Sequence, residues 1–554
     1  MEFLVFFLGA VLLLLGKGIY DKYTFDKKEL VRLRAKFGTV SPEEYTDAKL
    51  QSMKAFYEEI KRDACDVDEI TWSDLDMDEL FMVINNTESA VGEEYLYAML
   101  HQPEFSVEEL LERERLISFF GAEEEKRLKI QLALRRIGKN RRFSVFACMK
   151  FMKDIKRESN LLHYLPGVFT LISVGILFVN VPVGVISLIV SIQYGFFSYF
   201  KRKGELDAYL STISSLVLLL FSTEEIAGCN IPEIERYTEK MKQLNLHFDK
   251  FKKNFWIIGS KKPTGDILDS LMMYVRMLLH LDLIKFNRML LIYDRYEDEL
   301  VELYKTAGYL DALCSVASFR ALMGDYCVPE LIPQKVPVFE AKELYHPMLS
   351  KPVKNSISTE KSVLLTGSNA SGKSTFLKAV AINALLAQTI HTVMADSYRA
   401  TLFQVVSSMS LRDNLQGSES YFIVEIKSLK RMFEASQAPV CTLCFVDEVL
   451  RGTNTIERIA ASREVLAGLN GQSVLIFAAT HDIELTYLLE RQFDNYHFEE
   501  TVTDREVTFD YQLKAGRASS RNAIKLLGML GYPQEIIARA ENTAGHFLAT
   551  GEWK

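Results

Sequence analysis

From Ser159 to Phe200 the chain runs for 42 residues without one Asp, Glu, Lys or Arg. As helix that stretch would be about 63 Å long, roughly two crossings of a 30 Å hydrocarbon core. Asn180-Val181-Pro182 breaks it near the middle, as a tight hairpin requires. Lys150, Lys153, Lys156 and Arg157 lie before the run, and Lys201-Arg202-Lys203 directly after it. Both ends are basic, which places both on the cytosolic side of a bilayer. The competing reading is a buried helical hairpin inside a soluble core. A shorter apolar run, Phe3 to Gly16, is followed by Lys17, Lys22, Lys27 and Lys28. With Glu2 instead of a basic start and no small-residue cleavage site, it is expected to be an uncleaved anchor rather than a signal peptide.

The remaining composition narrows the rest. At 554 residues, 48% hydrophobic and 25% charged, the chain is long enough for three or four domains and is not a disordered or collagen-like polymer. Seven cysteines without regular spacing exclude a disulfide scaffold. The pair Cys441 and Cys444 lies in one apolar run with no second pair, so both are expected to be buried strand residues and not a metal site. A net charge of −8 offers nucleic acid no global attraction. The local exception is 126–142, which holds eight basic residues and no acid. It suits anionic lipid headgroups or a nucleic-acid backbone, or else it is a solvated helix face balanced by Glu123 to Glu125. The expected organisation is an anchor at 1–20, a cytosolic helical region at 21–158, a membrane hairpin at 159–200, further packed helices at 201–329, and an α/β domain at 330–554.

The chemistry is concentrated in that last part. Gly367, Ser368, Asn369, Ala370, Ser371, Gly372, Lys373 and Ser374 fit the pattern GxxxxGKS, between an apolar strand and a helix that runs on from Thr375. Glycines let backbone N–H groups close round phosphates at a helix N-terminus. Lys373 is expected to reach the β- and γ-phosphates of ATP, and the Ser374 hydroxyl to ligate Mg²⁺. A second apolar strand ends in Asp447-Glu448. Asp447 is expected to hold Mg²⁺ through its water shell, and Glu448 to act as general base on the attacking water. A third apolar strand ends in Thr480-His481-Asp482, where His481 can hydrogen-bond the γ-phosphate or the water.

These segments resemble those of the MutS mismatch-repair family. TGSNASGKST resembles its phosphate loop, DEVLRGTNTIER its Asp-Glu strand and following turn, and ATHDIEL its Ala-Thr-His segment. LQGSESYFIVEI resembles the signature segment, with Ser420 at the position that reaches the partner subunit's ATP. ELYHPML and the C-terminal run from Tyr511 also fit the family. Two departures stand out: Leu450 replaces the first glycine of the family's turn, and Tyr421 follows Ser420 where the family has Thr. Asn85 to Leu116 and Leu310 to Leu331 resemble the start and return of the family's lever domain.

The resemblance implies an α/β P-loop ATPase of ABC/MutS type joined to an all-α lever with transmembrane helices. It implies ATP and Mg²⁺ as cofactors and a homodimer with composite sites. Before the lever there is no room for the family's mismatch reader, although Phe56-Tyr57-Glu58 mimics its Phe-x-Glu wedge. The expected protein is a multi-pass ATPase of the bacterial inner membrane, its ATPase domain cytoplasmic, moving lever helices and membrane segments. Mismatch recognition is not expected. A membrane-tethered DNA clamp, binding DNA weakly and without sequence preference through 126–142, is the alternative, and a transporter component a third.

Overall fold

The computed structural model describes residues 24–552 apart from 62–64, 140–143, 156–158, 255–266, 369–370, 410–420, 451–452, 503–506 and most of 519–530. The first apolar run, Lys156 and Arg157, Asn369 and Ala370, and Ser420 therefore lie outside the described residues. The chain divides into two units. One comprises residues through Ile60, Met82–Ala98 and Arg115–Leu322; the other comprises Lys61–Phe81, Met99–Glu114 and Met323–Lys554.

In the first unit the uncharged run forms a helical hairpin. Helix α1 (Asn160–Leu177) is capped by the Ser159 hydroxyl, and α2 (Val181–Gly228) by the Asn180 side chain, which accepts the Val183 N–H. Pro182 sits in the first turn of α2, where a missing N–H costs nothing. The turn is tight enough that a Cβ on Gly184 would lie 2.6 Å from the Leu177 backbone. The sequence places the end of the hairpin at Phe200, but α2 continues through Lys201-Arg202-Lys203 for 48 residues in all. Gly204 and Asp207 are weak helix formers, but Lys201-Arg202-Lys203, Glu205, Leu206 and Ala208 around them are good ones and no proline interrupts the junction.

Composition marks three segments as long and apolar enough to cross a membrane: Asn160–Leu177, Val181–Gly204 and Tyr209–Gly228. Burial separates them. The first two are each 17% buried, the third 72%. Ile213, Leu216, Val217 and Leu220 have no solvent exposure and form the core of the helical unit, whereas Phe178 and Val179 at the hairpin tip are each 89% exposed. The hairpin leans on α3 (Ile267–Leu279), where Gly195 admits Leu278 and Gly167 admits Leu279. His280, in a left-handed conformation, leads into α4 (Leu281–Arg295) and sets its ring nitrogen 3.3 Å from that of His163.

Two of the sequence readings resolve inside this unit. Four of the eight basic residues of 126–142 are answered by carboxylates from elsewhere in the unit: Lys126 by Glu233, Arg135 by Glu29 and Glu88, Arg136 by Asp26 and Glu225, Lys139 by Glu43 and Glu93. Of Glu123 to Glu125, Glu123 meets Lys126 and the other two meet Arg34. Arg127 is buried beneath the Phe37 ring. This corrects the reading of the cluster as a lipid or nucleic-acid surface for every member with a described partner. Phe56 is fully buried among Phe146, Tyr304 and Tyr95, so it is core and not a wedge.

Two carboxyls are buried here outright. Asp311, on α5 (Glu297–Met323), accepts the backbone N–H of Glu88 and Ser89 and the Ser89 hydroxyl, which caps the helix Ala90–His101. Glu94 accepts from Ser144 and Val145 at the start of the helix Val145–Phe151. Burial raises Asp311 to about 6 and Glu94 to about 7.

Among the described residues the second unit holds two main sheets and a two-stranded antiparallel ribbon, Glu500–Val502 with Val507–Phe509. The larger has six strands, β1 (Ser362–Thr366), β2 (Phe403–Ser408), β3 (Cys441–Asp447), β4 (Val474–Ala479), β5 (Phe493–His497) and β6 (Lys514–Ala515), in the order β6-β5-β1-β4-β3-β2. All neighbours pair parallel except β6. Strands β1, β2 and β4 are buried at every position, as a parallel sheet covered on both faces requires. Its helices are α6 (Lys373–Thr389), α7 (Tyr421–Ala435) and α8 (Thr455–Leu469). A smaller, mainly antiparallel sheet orders Glu330–Ile332, Ser397–Thr401, Phe339–Leu344 and Asn355–Thr359. Cys441 and Cys444 are buried in β3, as expected, and burial pushes Cys444 up to about 12.

The edge strand β2 is not left open. The helix Glu69–Asp74 covers it: Thr71 Oγ1 accepts the Ser407 N–H, and Asp74 accepts the Ser407 hydroxyl and the Met409 N–H. That early part of the chain joins the α/β unit, an addition the sequence does not display.

Candidate functional site

At the carboxyl ends of the parallel strands the sequence motifs converge, the place where open α/β sheets bind ligands. Strand β1 delivers the loop that starts at Gly367, and α6 begins at Lys373. Both loop glycines are required. Gly367 has φ +145 and a Cβ there would lie 2.7 Å from Phe498 O; Gly372 has φ +104 and faces the Tyr511 ring. The Lys373 ammonium donates to Gly367 O at 2.8 Å and Ser368 O at 2.7 Å, which holds it over the loop. Ser368 is itself held by Glu500 at 2.7 Å. The Ser371 hydroxyl is buried and has no hydrogen-bond partner among the described residues, facing a cradle that would take an anion.

Strand β3 ends in Asp447, and Glu448 follows at φ +62. Its N–H donates to Ala479 O at 3.0 Å, at the end of neighbouring β4. One residue further along that end is Thr480, whose N–H donates to Leu365 O of β1. The three motif-bearing strands are thus cross-tied immediately behind the site. His481 Nε2 lies 2.8 Å from Glu448 Oε1, so the expected base and the expected histidine are within ion-pair distance. Asp482 is clamped in two-point fashion by Arg458 from α8, at 2.9 and 2.6 Å.

A cavity of about 560 Å³ opens beside the loop, lined by Ser368, Ser371, Gly372, Lys373, Ser374, Thr375 and Glu448 on its polar side. Its other side is mostly apolar and aromatic, Leu344, Tyr345, Leu349, Val353, Phe376, Ala379, Phe498 and Tyr511, with His346, Lys351 and Asn355 among them. The volume and the two-sided lining suit a nucleotide, phosphates on the loop and a flat base among the aromatics. Burial, with Lys378 nearby, pushes His346 down to about 4, so its ring is neutral, and Nδ1 accepts the Met348 N–H. The places of Tyr511 and His346 in this cavity escape the motif reading. His346 lies in ELYHPML and Tyr511 opens the C-terminal run, but only the fold carries Tyr511 to Gly372. Of the expected site residues, Ser368, Ser371, Gly372, Lys373, Ser374, Thr375 and Glu448 share this cavity, and Gly367 opens the loop that borders it. Asp447 and His481 adjoin it through Glu448.

The comparisons agree with this geometry. Residues 363–547 match the family model for MutS domain V. The α/β unit is MutS-like. Over 259 residues, 45% of this chain, it is 28% identical to the DNA mismatch repair protein MutS of Natronomonas pharaonis. Over 179 residues, 32% of the chain, it is 34% identical to the protein of that name from Thermus aquaticus. A 31% identity over 183 residues links it to the DNA mismatch repair protein MutS 2 of Haloarcula marismortui. These alignments span 30%, 22% and 19% of the respective relatives, so the likeness is to one part of them. The MutS-like unit is a P-loop domain of the ATPase type, and the chain around it is helix-rich.

Proposed function

We propose that this chain is a membrane-anchored, MutS-like ATPase that couples ATP binding and hydrolysis, in a dimer, to movement of its lever helices and membrane hairpin. In this reading the loop from Gly367 to Ser374, with Thr375, cradles the phosphates, and Lys373 leaves its two carbonyls for the β- and γ-oxygens. Ser374 and Asp447 would hold Mg²⁺, which offsets the phosphate charge. Glu448 takes the proton of the attacking water, and His481, 2.8 Å from it, orients that carboxylate. Ser420 of a second copy would complete each site.

The observation that carries the membrane half is the hairpin's surface. Leu161, Leu171, Phe178, Val179, Ile186 and Phe197 are each more than 60% exposed, all within the charge-free run 159–200. Removing one such side chain from water is worth about 1.5–3 kcal/mol, so a hairpin of them left in water forfeits on the order of tens of kcal/mol. A bilayer recovers that, and α2 then runs without a break from lipid into the helical core. The DNA-clamp alternative draws on the printed names of the relatives, but the buried Phe56 and the answered basic cluster speak against it.

The test is direct. Full-length protein should stay with the membrane through alkaline extraction and, once solubilised in detergent, hydrolyse ATP in a Mg²⁺-dependent manner that Lys373→Ala abolishes. Release at alkaline pH would remove the anchor. Absence of Lys373-dependent turnover in the wild type would remove the ATPase.

A further inference from the structure

The turn that presents the general base is itself held under strain, and its holder lies on a different element. Glu448 and Leu450 have φ of +62 and +58, a left-handed conformation that is disfavoured for a residue with a Cβ. Leu450 stands where the MutS turn carries glycine, the residue that takes such angles without penalty. Here the position is 5% exposed and packs into the apolar core with Leu429, Met432, Leu466 and Leu485. The side chain thus stabilises the core while its backbone resists the turn. Three hydrogen bonds oppose that resistance. The Glu448 N–H donates to Ala479 O, the Ser462 hydroxyl on α8 donates to Val449 O at 3.3 Å, and the Leu450 N–H donates to the carboxylate of Glu425 on α7.

The third is unlike the other two. Glu425 is 2% exposed, a charged side chain brought into the interior by the helix that begins directly after Ser420. Burying a carboxylate is costly unless it is well used. Arg431 of the same helix reaches the Ser407 carbonyl at the end of β2, so α7 is fixed to the sheet at one end of the interaction and to the turn at the other. We infer that Glu425 is a positioning residue for hydrolysis: by accepting the Leu450 N–H it holds the strained 448–450 turn so that Glu448 faces His481 and the phosphate side of the cavity. It does not line the cavity. Without it the turn relaxes toward negative φ, and Glu448 swings from its place.

This inference rests on the ATPase reading, and the experiment separates the two. Wild type, Glu425→Gln and Glu425→Met are compared in the full-length protein for ATP affinity and for kcat per bound nucleotide. Gln keeps an acceptor oxygen at the same reach; Met keeps the volume and has none. The expected result is near-wild-type kcat for Gln. For Met it is a fall of about 10- to 100-fold, the cost of misplacing a catalytic group by ~1 Å. ATP affinity should be unchanged in both. Should the Met variant not bind nucleotide, Glu425→Asp, which keeps the charge but shortens the reach, carries the same comparison and should lose kcat. Equal loss in Gln and Met, or full turnover per bound nucleotide in the acceptor-free variant, overturns the role. A wild type that binds ATP without turning it over overturns the ATPase reading instead.

Discussion

Glu448 and Lys373 divide the work at the site, and substitution separates their roles. Lys373→Ala removes a phosphate contact and should abolish tight ATP binding. Glu448→Ala removes only the base and should preserve binding while lowering kcat by about 10²- to 10⁴-fold. Near-wild-type turnover in Glu448→Ala would show that another group takes the proton. A second pair of residues acts on stability alone. The folded values of Glu94, about 7 against an ordinary 4.5, and of Asp311, about 6 against 3.8, are raised by burial. The folded chain therefore holds protons that the unfolded chain has released, so this contribution is complete below the unfolded values and is lost as pH rises through about 6 to 7. Glu94→Gln should flatten the fall in thermal midpoint between pH 5 and pH 8. An unchanged slope would mean that the Glu94 carboxyl does not titrate there. The residue scale is also where the sequence was most legible: Gly367 to Ser374, Asp447, Glu448 and His481 are local patterns, each tied to one strand end. Tyr511 and Glu425 were not, since their roles arise from contacts between segments far apart in the chain.

Among the elements, the hairpin was readable because absence of charge is a property of the sequence itself. What the sequence did not disclose is that α2 passes through its basic junction and ends inside a protein core. Composition treats Tyr209–Gly228 and Val181–Gly204 alike, for lipid and protein interiors select the same side chains. Burial distinguishes them, and a lipid-soluble photoreactive probe should do the same. It should label 161–200 and leave 209–228 unlabelled in native membranes. Labelling of the third segment as strong as that of the first two would make it a span as well. The helix Glu69–Asp74 gave no early sign of its place either. Its Asp74 and Thr71 complete the edge of β2, a pairing that no local pattern encodes.

At the scale of the whole molecule, the family likeness is the easiest feature to over-read. The matched region covers the ATPase-type unit, and the printed function of the relatives is that of proteins several times longer than the match. Phe56 is enclosed by aromatic rings, and the basic residues of 126–142 with described partners are neutralised from within. Competition between homoduplex and single-mismatch duplex, with ATP and without, should therefore show no preference. A reproducible tenfold preference, about 1.4 kcal/mol, would favour the tethered repair clamp.

The central proposal is that nucleotide chemistry in the α/β unit moves the apolar hairpin, and that the hairpin sits in a membrane. It is tested by a spin label at Phe197, 74% exposed on the hairpin, in full-length protein reconstituted into vesicles. Distances between labels on two copies are measured with and without ATP in the Glu448→Ala background, where bound ATP persists. The account predicts a shifted distance distribution on adding ATP and no shift when Lys373→Ala is introduced as well. Identical distributions with and without bound ATP would contradict it.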